Sequence, residues 1–250
     1  MATPEQEHFT RSQALSQQIE RYKTMSLDEK RRMYSCGSGY VQLNEVPVYP
    51  LYYKSTRLTK ATDSVGENGS KAWEIRQDLN AKLSIFTGDI TRLEIDCIVN
   101  AANANLYAGG GVCGAIHRAA GPELAKECAS VGGCPTGSAK ITHGYKLPAL
   151  RVIHAVGPMG EKPEQLASAY RTSLELMKSE RFRSIAFPCI STGIYGYPNA
   201  KAAPVVLHTL REWLEIKENA DATDRIILCL FLEVDIEWYH TLLPKYFPVE

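Results

Sequence analysis

A run of three glycines is the part of this sequence best suited to hold an anion. Gly109, Gly110 and Gly111 stand between an apolar run that ends at Asn100 and a helical pattern that begins at Val112. Glycine permits positive φ and carries no Cβ, so the backbone N–H groups of such a loop can converge on a ligand. The N-terminus of the following helix adds a partial positive charge. The sequence therefore predicts an anion site, and the alternative is an ordinary flexible loop.

A second loop rich in hydrogen-bond donors follows the apolar run 185–190. It offers two hydroxyls, two glycines and an aromatic ring, in the order Ser191, Thr192, Gly193, Ile194, Tyr195 and Gly196. These groups could bind a second phosphate, and Tyr195 could stack on a ribose or a base. The alternative is a routine turn with a packed tyrosine. Two such loops at one sheet edge suit a diphosphate, with one loop for each phosphate.

A carboxylate follows a third apolar run. Asp89 comes two residues after the run Leu83–Thr87, so it stands just past the end of a predicted strand. From that position it could accept a hydrogen bond from the amino group of an adenine. Its alternative role is that of a turn or cap residue, which aspartate also favours.

The elements that position these loops are strands alternating with helices from residue 71 onward. The predicted strands are residues 83–87, 96–100, 139–142, 150–156, 184–190 and 225–232. The predicted helices are residues 112–120, 122–131, 164–179, 200–215 and 234–242, and Pro204 suggests that the fourth helix begins later than Asn199. Strands that are apolar throughout are typical of a sheet covered on both faces. The alternation predicts a parallel or mixed sheet, whose ligands bind beyond the carboxyl ends of the strands.

Residues 1–70 read as an extension that precedes a domain of residues 71–250. We expect a helix over residues 11–25 and a second one that begins with a capping box at Ser26 and runs to about Met33. Residues 41–53 contain Pro47 and Pro50, and their pattern predicts an extended segment on the surface of the main domain. Residues 60–70 read as a flexible loop or linker.

Composition and motif content exclude several function classes. The chain has 250 residues, with 28 basic and 28 acidic side chains, so no net charge draws it to nucleic acid or a membrane. No Gly-Lys-Ser/Thr or G-x-G-x-x-G with a downstream acid is present, which argues against a nucleoside triphosphatase and a dehydrogenase. We find no secretory signal and no apolar stretch long enough to span a membrane. Glu5, Glu7 and Glu20 only weakly disfavour a mitochondrial presequence, so a mitochondrial location stays an alternative.

The seven cysteines predict reduced thiols in an intracellular compartment, cytoplasmic or nuclear, because their number is odd and no C-x-x-C pair occurs. The alternative is a zinc site of Cys128, Cys134 and His143. Paired short ligand spacings are missing, so we expect no metal.

Taken together, the motifs resemble those of the macrodomain family, and most closely its MacroD-type branch. The motifs are residues 88–90 (GDI), 100–103 (NAAN), 109–112 (GGGV), 115–122 (AIHRAAGP), 152–158 (VIHAVGP), 189–196 (CISTGIYG) and 243–248 (LPKYFP). Residues 25–30 (MSLDEK) and 43–47 (LNEVP) are similar to the N-terminal extension of that branch. The resemblance covers the chain from about Tyr22 to Val249.

The resemblance implies a three-layer α/β/α sandwich with a mixed central sheet and an ADP-ribose cleft. Asp89 would then bind the adenine amino group, and Ile90 would contact the edge of the base. The loops 109–112 and 191–196 would hold the diphosphate. Asn103 would bind a hydroxyl of the distal ribose, and Tyr195 would pack beside that ribose.

The activity implied by the resemblance is the hydrolysis of an ester at the distal ribose. MacroD-type proteins remove ADP-ribose from acidic side chains of mono-ADP-ribosylated proteins, and they deacetylate O-acetyl-ADP-ribose. The reaction requires an activated water and stabilisation of developing negative charge, without a cofactor. The rival function is a module that binds ADP-ribose without catalysis. RNA binding is disfavoured by the neutral charge, and we expect a monomer.

One position departs from the family pattern. An aspartate commonly follows Gly-Gly-Gly-Val in these hydrolases, whereas this chain has Cys113. A thiol is a weak hydrogen-bonding group and cannot replace a carboxylate base. Three alternatives follow. Cys113 is inert and a ligand phosphate orients the water, or the domain binds ADP-ribose without catalysis. In the third alternative, Cys113 is a nucleophile activated by the helix N-terminus. We expect His117, four residues further on, to be a packing and hydrogen-bonding residue below the loop.

Overall fold

The computed structural model describes residues 4–56, 58 and 72–249. Its helices are α1 (Pro4–Thr24), α2 (Leu27–Arg31), α3 (Tyr49–Thr56), α4 (Gln77–Asn80), α5 (Gly111–Ala120), α6 (Pro122–Val131), α7 (Pro163–Ser179), α8 (Asn199–Glu215), α9 (Lys217–Ala222) and α10 (Glu233–Tyr246). Its strands are β1 (Val41–Gln42), β2 (Leu83–Thr87), β3 (Leu93–Glu94), β4 (Cys97–Ala101), β5 (Ala139–His143), β6 (Arg151–Ala155), β7 (Ser184–Phe187) and β8 (Arg225–Leu230). Every strand and helix predicted after residue 71 is present, with ends that differ by at most four residues.

Six strands form one mixed sheet in the order β2-β8-β7-β4-β6-β5. Neighbouring strands run parallel from β2 to β6, and β5 pairs antiparallel with β6 at the edge. The five parallel strands therefore end at the same edge of the sheet. The predicted mixed sheet is confirmed.

Helices cover both faces of this sheet, which confirms the three-layer sandwich. In β4, Cys97 and Val99 are fully buried against the layer that contains α7, α8 and α10. Ile98, which points the other way, is fully buried in the second core cluster, together with Ile116 of α5. Alternate residues of one strand thus serve two cores, which is why the strands read as uninterrupted apolar runs.

The prediction of an extended segment over residues 41–53 is wrong for its second half. β1 is extended, a 3-10 turn follows over Leu43–Glu45, Val46 and Val48 are again extended, and α3 begins at Tyr49. Tyr49 and Tyr53 are one helical turn apart and are both buried in the core, so the aromatic residues follow a helical period. Pro50 lies in the first turn, where its missing N–H has no helical partner to lose.

The expectation that α8 begins later than Asn199 is also wrong. The helix begins at Asn199 and continues through Pro204. Pro204 cannot donate the hydrogen bond to the carbonyl four residues before it. Nine buried residues of α8 compensate for that loss, because they pack the helix onto the sheet along most of its length.

The N-terminal segment is fixed to the domain by an ion pair. Arg31 donates to both oxygens of Glu94, at 2.8 and 2.7 Å, and Tyr34 donates to the same carboxylate at 3.0 Å. These hydrogen bonds lower the pKa of the Glu94 carboxyl. The capping box predicted at Ser26 is present, with Ser26 and Glu29 bonded in both directions.

Two sequence predictions concern the segment around residue 70. The predicted loop over residues 60–70 lies outside the described residues, and the domain boundary at residues 70 and 71 stays a prediction. Among the helices that the structure describes, none combines the length and the apolar character that crossing a lipid bilayer requires.

Arg211 on α8 joins the segment that follows residue 71 to the C-terminal end of the chain. Its side chain is fully buried and donates to the carbonyl oxygens of Glu74 and Tyr246, each at 2.8 Å. The guanidinium lies between the rings of Trp73 and Phe247, at 5.0 and 5.5 Å from their centroids. A single cation thus satisfies two backbone acceptors and two aromatic faces.

We expect the substitution Arg211→Met to lower the free energy of unfolding by about 3 kcal/mol, because it leaves buried acceptors without a donor. The matched control is Arg76→Met, since Arg76 contacts the same Glu215 carboxylate as Arg211 does but has an exposed side chain. Urea unfolding should show a lower midpoint for the first variant and little change for the second. Equal midpoints would show that Arg211 has no special role.

Candidate functional site

The parallel strands bring the predicted loops to one edge of the sheet. Gly88 and Asp89 follow β2, Phe231 follows β8, and the loops 188–198 and 102–110 follow β7 and β4. Since these four strands are consecutive neighbours and strands lie about 4.8 Å apart, the loops stand side by side over on the order of 14 Å of this edge, which is the candidate cleft. That length suits a nucleotide with a diphosphate and a second sugar.

The triple glycine forms the N-terminus of α5, as predicted. Gly110 is the N-cap, no side chain caps the helix there, and Gly111 has φ = +57°. Any other residue at position 111 would be strained, because a left-handed backbone disfavours a Cβ. A Cβ at Gly114 would collide with the carbonyl oxygen of Gly109, so the loop folds closely over the first turn of the helix. The uncapped helix start is the anion-binding geometry that the sequence predicts.

The second loop faces the first across the cleft. A Cβ on Gly110 would lie 3.2 Å from Cδ1 of Ile194, whose side chain is 84% exposed. Backbone bonds fix the loop, with the Gly160 N–H donating to the Tyr195 carbonyl and the Tyr197 N–H to the Ser191 carbonyl. The structure therefore brings the two predicted phosphate loops together.

Ser191 holds a costly conformation at the start of the second loop. It has φ = +70°, and its hydroxyl is buried without a hydrogen-bond partner among the described residues. A left-handed non-glycine residue and an unpaired buried hydroxyl each cost on the order of 1–3 kcal/mol. Such strain is concentrated where a backbone must be aimed at a ligand.

The structure gives Asp89 the turn role and leaves room for the binding role. Oδ1 of Asp89 accepts from the backbone N–H and the hydroxyl of Thr91, at 2.9 and 2.7 Å. Oδ2 takes no hydrogen bond from the described part of the chain, and the side chain is exposed. Ile90 is buried in the core, so only its main chain can reach the edge of a base.

Phe231 is a residue of this cleft that the sequence analysis missed. It is 76% exposed, and it follows Leu230, which pairs with Thr87 of β2, so it lies beside Gly88 and Asp89. The sequence analysis placed Phe231 inside the strand 225–232, because it extends the apolar run. The signal that could have found it is an aromatic residue at the end of a strand whose neighbour leads to a candidate binding residue.

Asn103 holds the glycine loop in shape. Its Oδ1 accepts from the backbone N–H groups of Asn105 and Tyr107, each at 3.2 Å, and its Nδ2 donates to the Tyr107 carbonyl at 2.8 Å. The Asn103 amide lies close to Cys113, since a Cβ at Gly109 would be within 4 Å of both side chains. The structure thus places Asn103, the predicted ribose contact, near Cys113, the residue that differs from the family pattern.

Cys113 lies inside the loop with its thiol hydrogen-bonded. Its side chain is buried, and Sγ donates to the Tyr107 carbonyl at 3.5 Å. The Asn100 amide donates to the same sulfur at 3.6 Å. Because the thiol is buried and hydrogen-bonded to a carbonyl, this geometry favours an inert Cys113 over a nucleophile.

His117 packs beneath the loop, as predicted, but the hydrogen bonds expected of it are absent. Both ring nitrogens are buried and take no partner from the residues that the structure describes. Burial lowers the pKa of His117, so the ring is neutral. Within the part of the chain that the structure describes, Cys128, Cys134 and His143, the alternative zinc trio, do not converge. His143 hydrogen-bonds Glu127, and the Cys134 thiol donates to the Pro135 carbonyl.

Comparisons with known proteins agree with this architecture. The model of the Macro domain family matches residues 99–206. The chain is 47% identical to ADP-ribose glycohydrolase MACROD1 of Rattus norvegicus, over 91% of this chain and 86% of that protein. It is 48% identical to ADP-ribose glycohydrolase MACROD2 of Mus musculus over 92% of its own length, but it spans only 48% of that relative.

Solved structures show the same fold. The crystal structure of the Trypanosoma brucei macrodomain in complex with ADP-ribose superposes with a TM-score of 0.70 at 32% identity, over 97% of each chain. The macro domain of ganglioside induced differentiation associated protein 2 gives a TM-score of 0.73 at 28% identity, over 85% of this chain and 98% of that one. The chain therefore belongs to the macrodomain family and to its MacroD-type branch.

Proposed function

We propose that this chain binds ADP-ribose and hydrolyses ester-linked ADP-ribose. Its substrates are proteins mono-ADP-ribosylated on aspartate or glutamate, and O-acetyl-ADP-ribose. The observation that carries the proposal is the pair of facing loops, in which the uncapped start of α5 meets the Ile194 loop within van der Waals reach. The relatives named as ADP-ribose glycohydrolases and the macrodomain solved with ADP-ribose support it.

The order of the strand ends gives the ligand a direction in the cleft. The adenine lies at the β2–β8 end, where Oδ2 of Asp89 accepts from its amino group and Phe231 stacks on the ring. The diphosphate lies between the loops 109–112 and 191–196, on the backbone N–H groups and the positive end of α5. The distal ribose then reaches Asn103 and Tyr195, beside the β4 loop.

The reaction consumes one water molecule. The water oxygen attacks a carbon of the ester C–O bond, and that bond breaks. The products are the ribose hydroxyl and the carboxylic acid, and each carries one of the two protons of the water. Cys113 supplies no base, since its thiol is buried and donates to a carbonyl. A phosphate oxygen of the bound ligand orients the water, and the positive end of the α5 dipole, beside the reacting ester, stabilises the negative charge that develops.

The second candidate function is an ADP-ribose reader without catalysis. The observation that favours it is the same Cys113, which stands where related hydrolases carry an aspartate. Both functions use the same binding contacts, so affinity for ADP-ribose does not distinguish them, whereas product release does.

The setting that fits either function is the interior of a cell, in the cytoplasm or the nucleus. All seven cysteines are free thiols, which suits a reducing compartment. The chain acts as a monomer, and its partners are ADP-ribose, O-acetyl-ADP-ribose and mono-ADP-ribosylated proteins.

We expect Asp89→Ala to weaken ADP-ribose binding tenfold to a hundredfold, because a hydrogen bond to a charged group contributes roughly 1.5–3 kcal/mol. Isothermal calorimetry with ADP-ribose measures the change. The control is Asp78→Ala, which removes an exposed carboxylate that pairs with Arg76 rather than facing the cleft. Unchanged affinity in Asp89→Ala would remove this residue from the site.

The stacking role of Phe231 makes a separate prediction. Phe231→Ala should weaken binding of ADP-ribose and of AMP alike by about 1–3 kcal/mol, and Phe231→Tyr should restore it, since the aromatic face is what the base contacts. Ile216→Ala is the matched control, because Ile216 is also an exposed large apolar residue but lies at the far end of α8. A loss for ADP-ribose without a loss for AMP would place Phe231 elsewhere on the ligand.

Release of ADP-ribose from a mono-ADP-ribosylated protein tests the enzyme against the reader. We expect the wild type to release product at a rate proportional to enzyme concentration. Cys113→Ala should retain most of that rate and Cys113→Asp should raise it, because a carboxylate orients water better than a thiol. Loss of activity in Cys113→Ala would favour the nucleophile, and no release at high enzyme with intact binding would establish the reader.

A further inference from the structure

A cluster of soft ligand atoms is buried beneath the glycine loop, outside the cleft. His117 lies on α5, Cys128 on α6 and His154 on β6, and one ligand atom from each lies within 4.8 Å of the other two. Their exposed fractions are 7%, 1% and 0%. Two imidazoles and a thiol from three separate elements thus converge on one point of the core.

The unpaired ring of His117 is the feature that most needs a ligand. Both of its nitrogens are buried without a hydrogen-bond partner in the described part of the chain. Buried polar groups are almost always paired, and a side chain without a protein partner points to a bound water or ion, or to a functional role. A neutral imidazole with one free lone pair is also the form that binds a metal.

The spacing between two members of the cluster fits a shared tetrahedral metal ion. Sγ of Cys128 lies 3.6 Å from Nε2 of His154. A zinc ion with bonds of about 2.3 Å to sulfur and about 2.0–2.1 Å to nitrogen separates two such ligands by roughly 3.6 Å at the tetrahedral angle. These two atoms therefore already stand at the separation that a shared cation would impose.

The surroundings of His154 resemble the outer shell of a metal-binding histidine. Its Nδ1 lies 3.1 Å from the side-chain amide of Asn100, whose Oδ1 has no partner among the described residues. Turning that amide by half a rotation lets Oδ1 accept from Nδ1–H, which satisfies the carbonyl oxygen of the amide and leaves the lone pair of Nε2 facing Cys128. Oγ1 of Thr142 lies 2.8 Å from Nε2, and this hydroxyl would give way to the cation.

The charge near the cluster also suits a cation. Glu127 is buried next to Cys128 in α6, and its carboxylate accepts hydrogen bonds from the backbone and ring of His143 and from the hydroxyl of Tyr145. A divalent cation on the cluster releases the proton of the Cys128 thiol. The thiolate and the Glu127 carboxylate together then balance its charge.

We propose that His117, Cys128 and His154 form a buried site for one thiophilic cation with a filled d shell, Zn²⁺ or Cu⁺. Sulfur and imidazole ligands select these ions over Mg²⁺ and Ca²⁺. The bound ion ties α5, α6 and β6 together directly below the loop 109–112. It also fixes the side chain of Asn100, which lies beside Cys113 in the first turn of α5, so it steadies the helix start on which the diphosphate rests.

The test uses the full chain, stripped with a chelator under reducing conditions and then titrated with Zn²⁺ or Cu⁺ alone. Because the site is buried, each ion is added both to the native protein and during refolding. We expect one ion per chain, the release of one proton for each ion bound, and a higher melting temperature. Co²⁺ in place of Zn²⁺ should give a sulfur-to-cobalt charge-transfer band.

Variants separate this cluster from the other thiols. Cys128→Ser should remove the charge-transfer band, and His117→Phe should weaken binding at least tenfold, whereas Cys134→Ser, the matched buried thiol outside the cluster, should retain both. X-ray absorption on the loaded wild type keeps the test valid if a variant does not fold, and we expect one sulfur and two imidazole ligands. No binding of either ion under both loading conditions, or a band that survives in Cys128→Ser, would overturn the proposal.

Discussion

Parallel pairing of five strands is the constraint on which the rest of this molecule depends. Parallel strands need a crossover for every pair, so the chain must return along a face of the sheet each time, and helices cover both faces as a result. The same pairing places the ends of β2, β8, β7 and β4 side by side. Every loop to which we assign a contact with ADP-ribose follows one of these four strands. The position of the cleft is therefore a consequence of the strand order, and the loops need only supply residues that contact the ligand.

The sequence predicted the elements that depend on local pattern and missed those that depend on distant partners. Strands buried on both faces and helices with a regular apolar period were found because each residue carries the signal by itself. The helix α3 was missed because two prolines masked the helical spacing of Tyr49 and Tyr53, whose burial depends on helices far along the chain. Phe231 was missed because exposure cannot be seen in an apolar run. The convergence of His117, Cys128 and His154 was invisible, since it requires the packing of α5 and α6 against β6.

The substitution of a carboxylate by Cys113 shifts the proposed chemistry from side chain to backbone. A carboxylate near the water would orient it and help to remove its proton, and the thiol does neither while it donates to the Tyr107 carbonyl. The N–H groups at the start of α5 are unaffected by that change, because they belong to the main chain. Stabilisation by preorganised backbone dipoles is commonly among the largest contributions to catalysis. This chain can thus retain stabilisation by backbone dipoles, the larger contribution, while it lacks the carboxylate, the smaller one.

Two features of the structure, at Ser191 and at His117, cost folding free energy, and they have a common explanation. Ser191, in the second loop, has a left-handed backbone and a buried hydroxyl without a partner among the described residues. His117, beneath the first loop, has a buried ring whose nitrogens also lack such a partner. Neither arrangement stabilises the fold by itself, since each unpaired buried group costs on the order of 1–3 kcal/mol. A core of fully buried strands can offset such losses. On our two proposals, a phosphate bound at the second loop offsets the strain of Ser191, and a cation bound below the first loop satisfies the ring of His117. Ser191 and His117, which each lower the stability of the unliganded fold, are then the positions whose cost a bound ligand offsets.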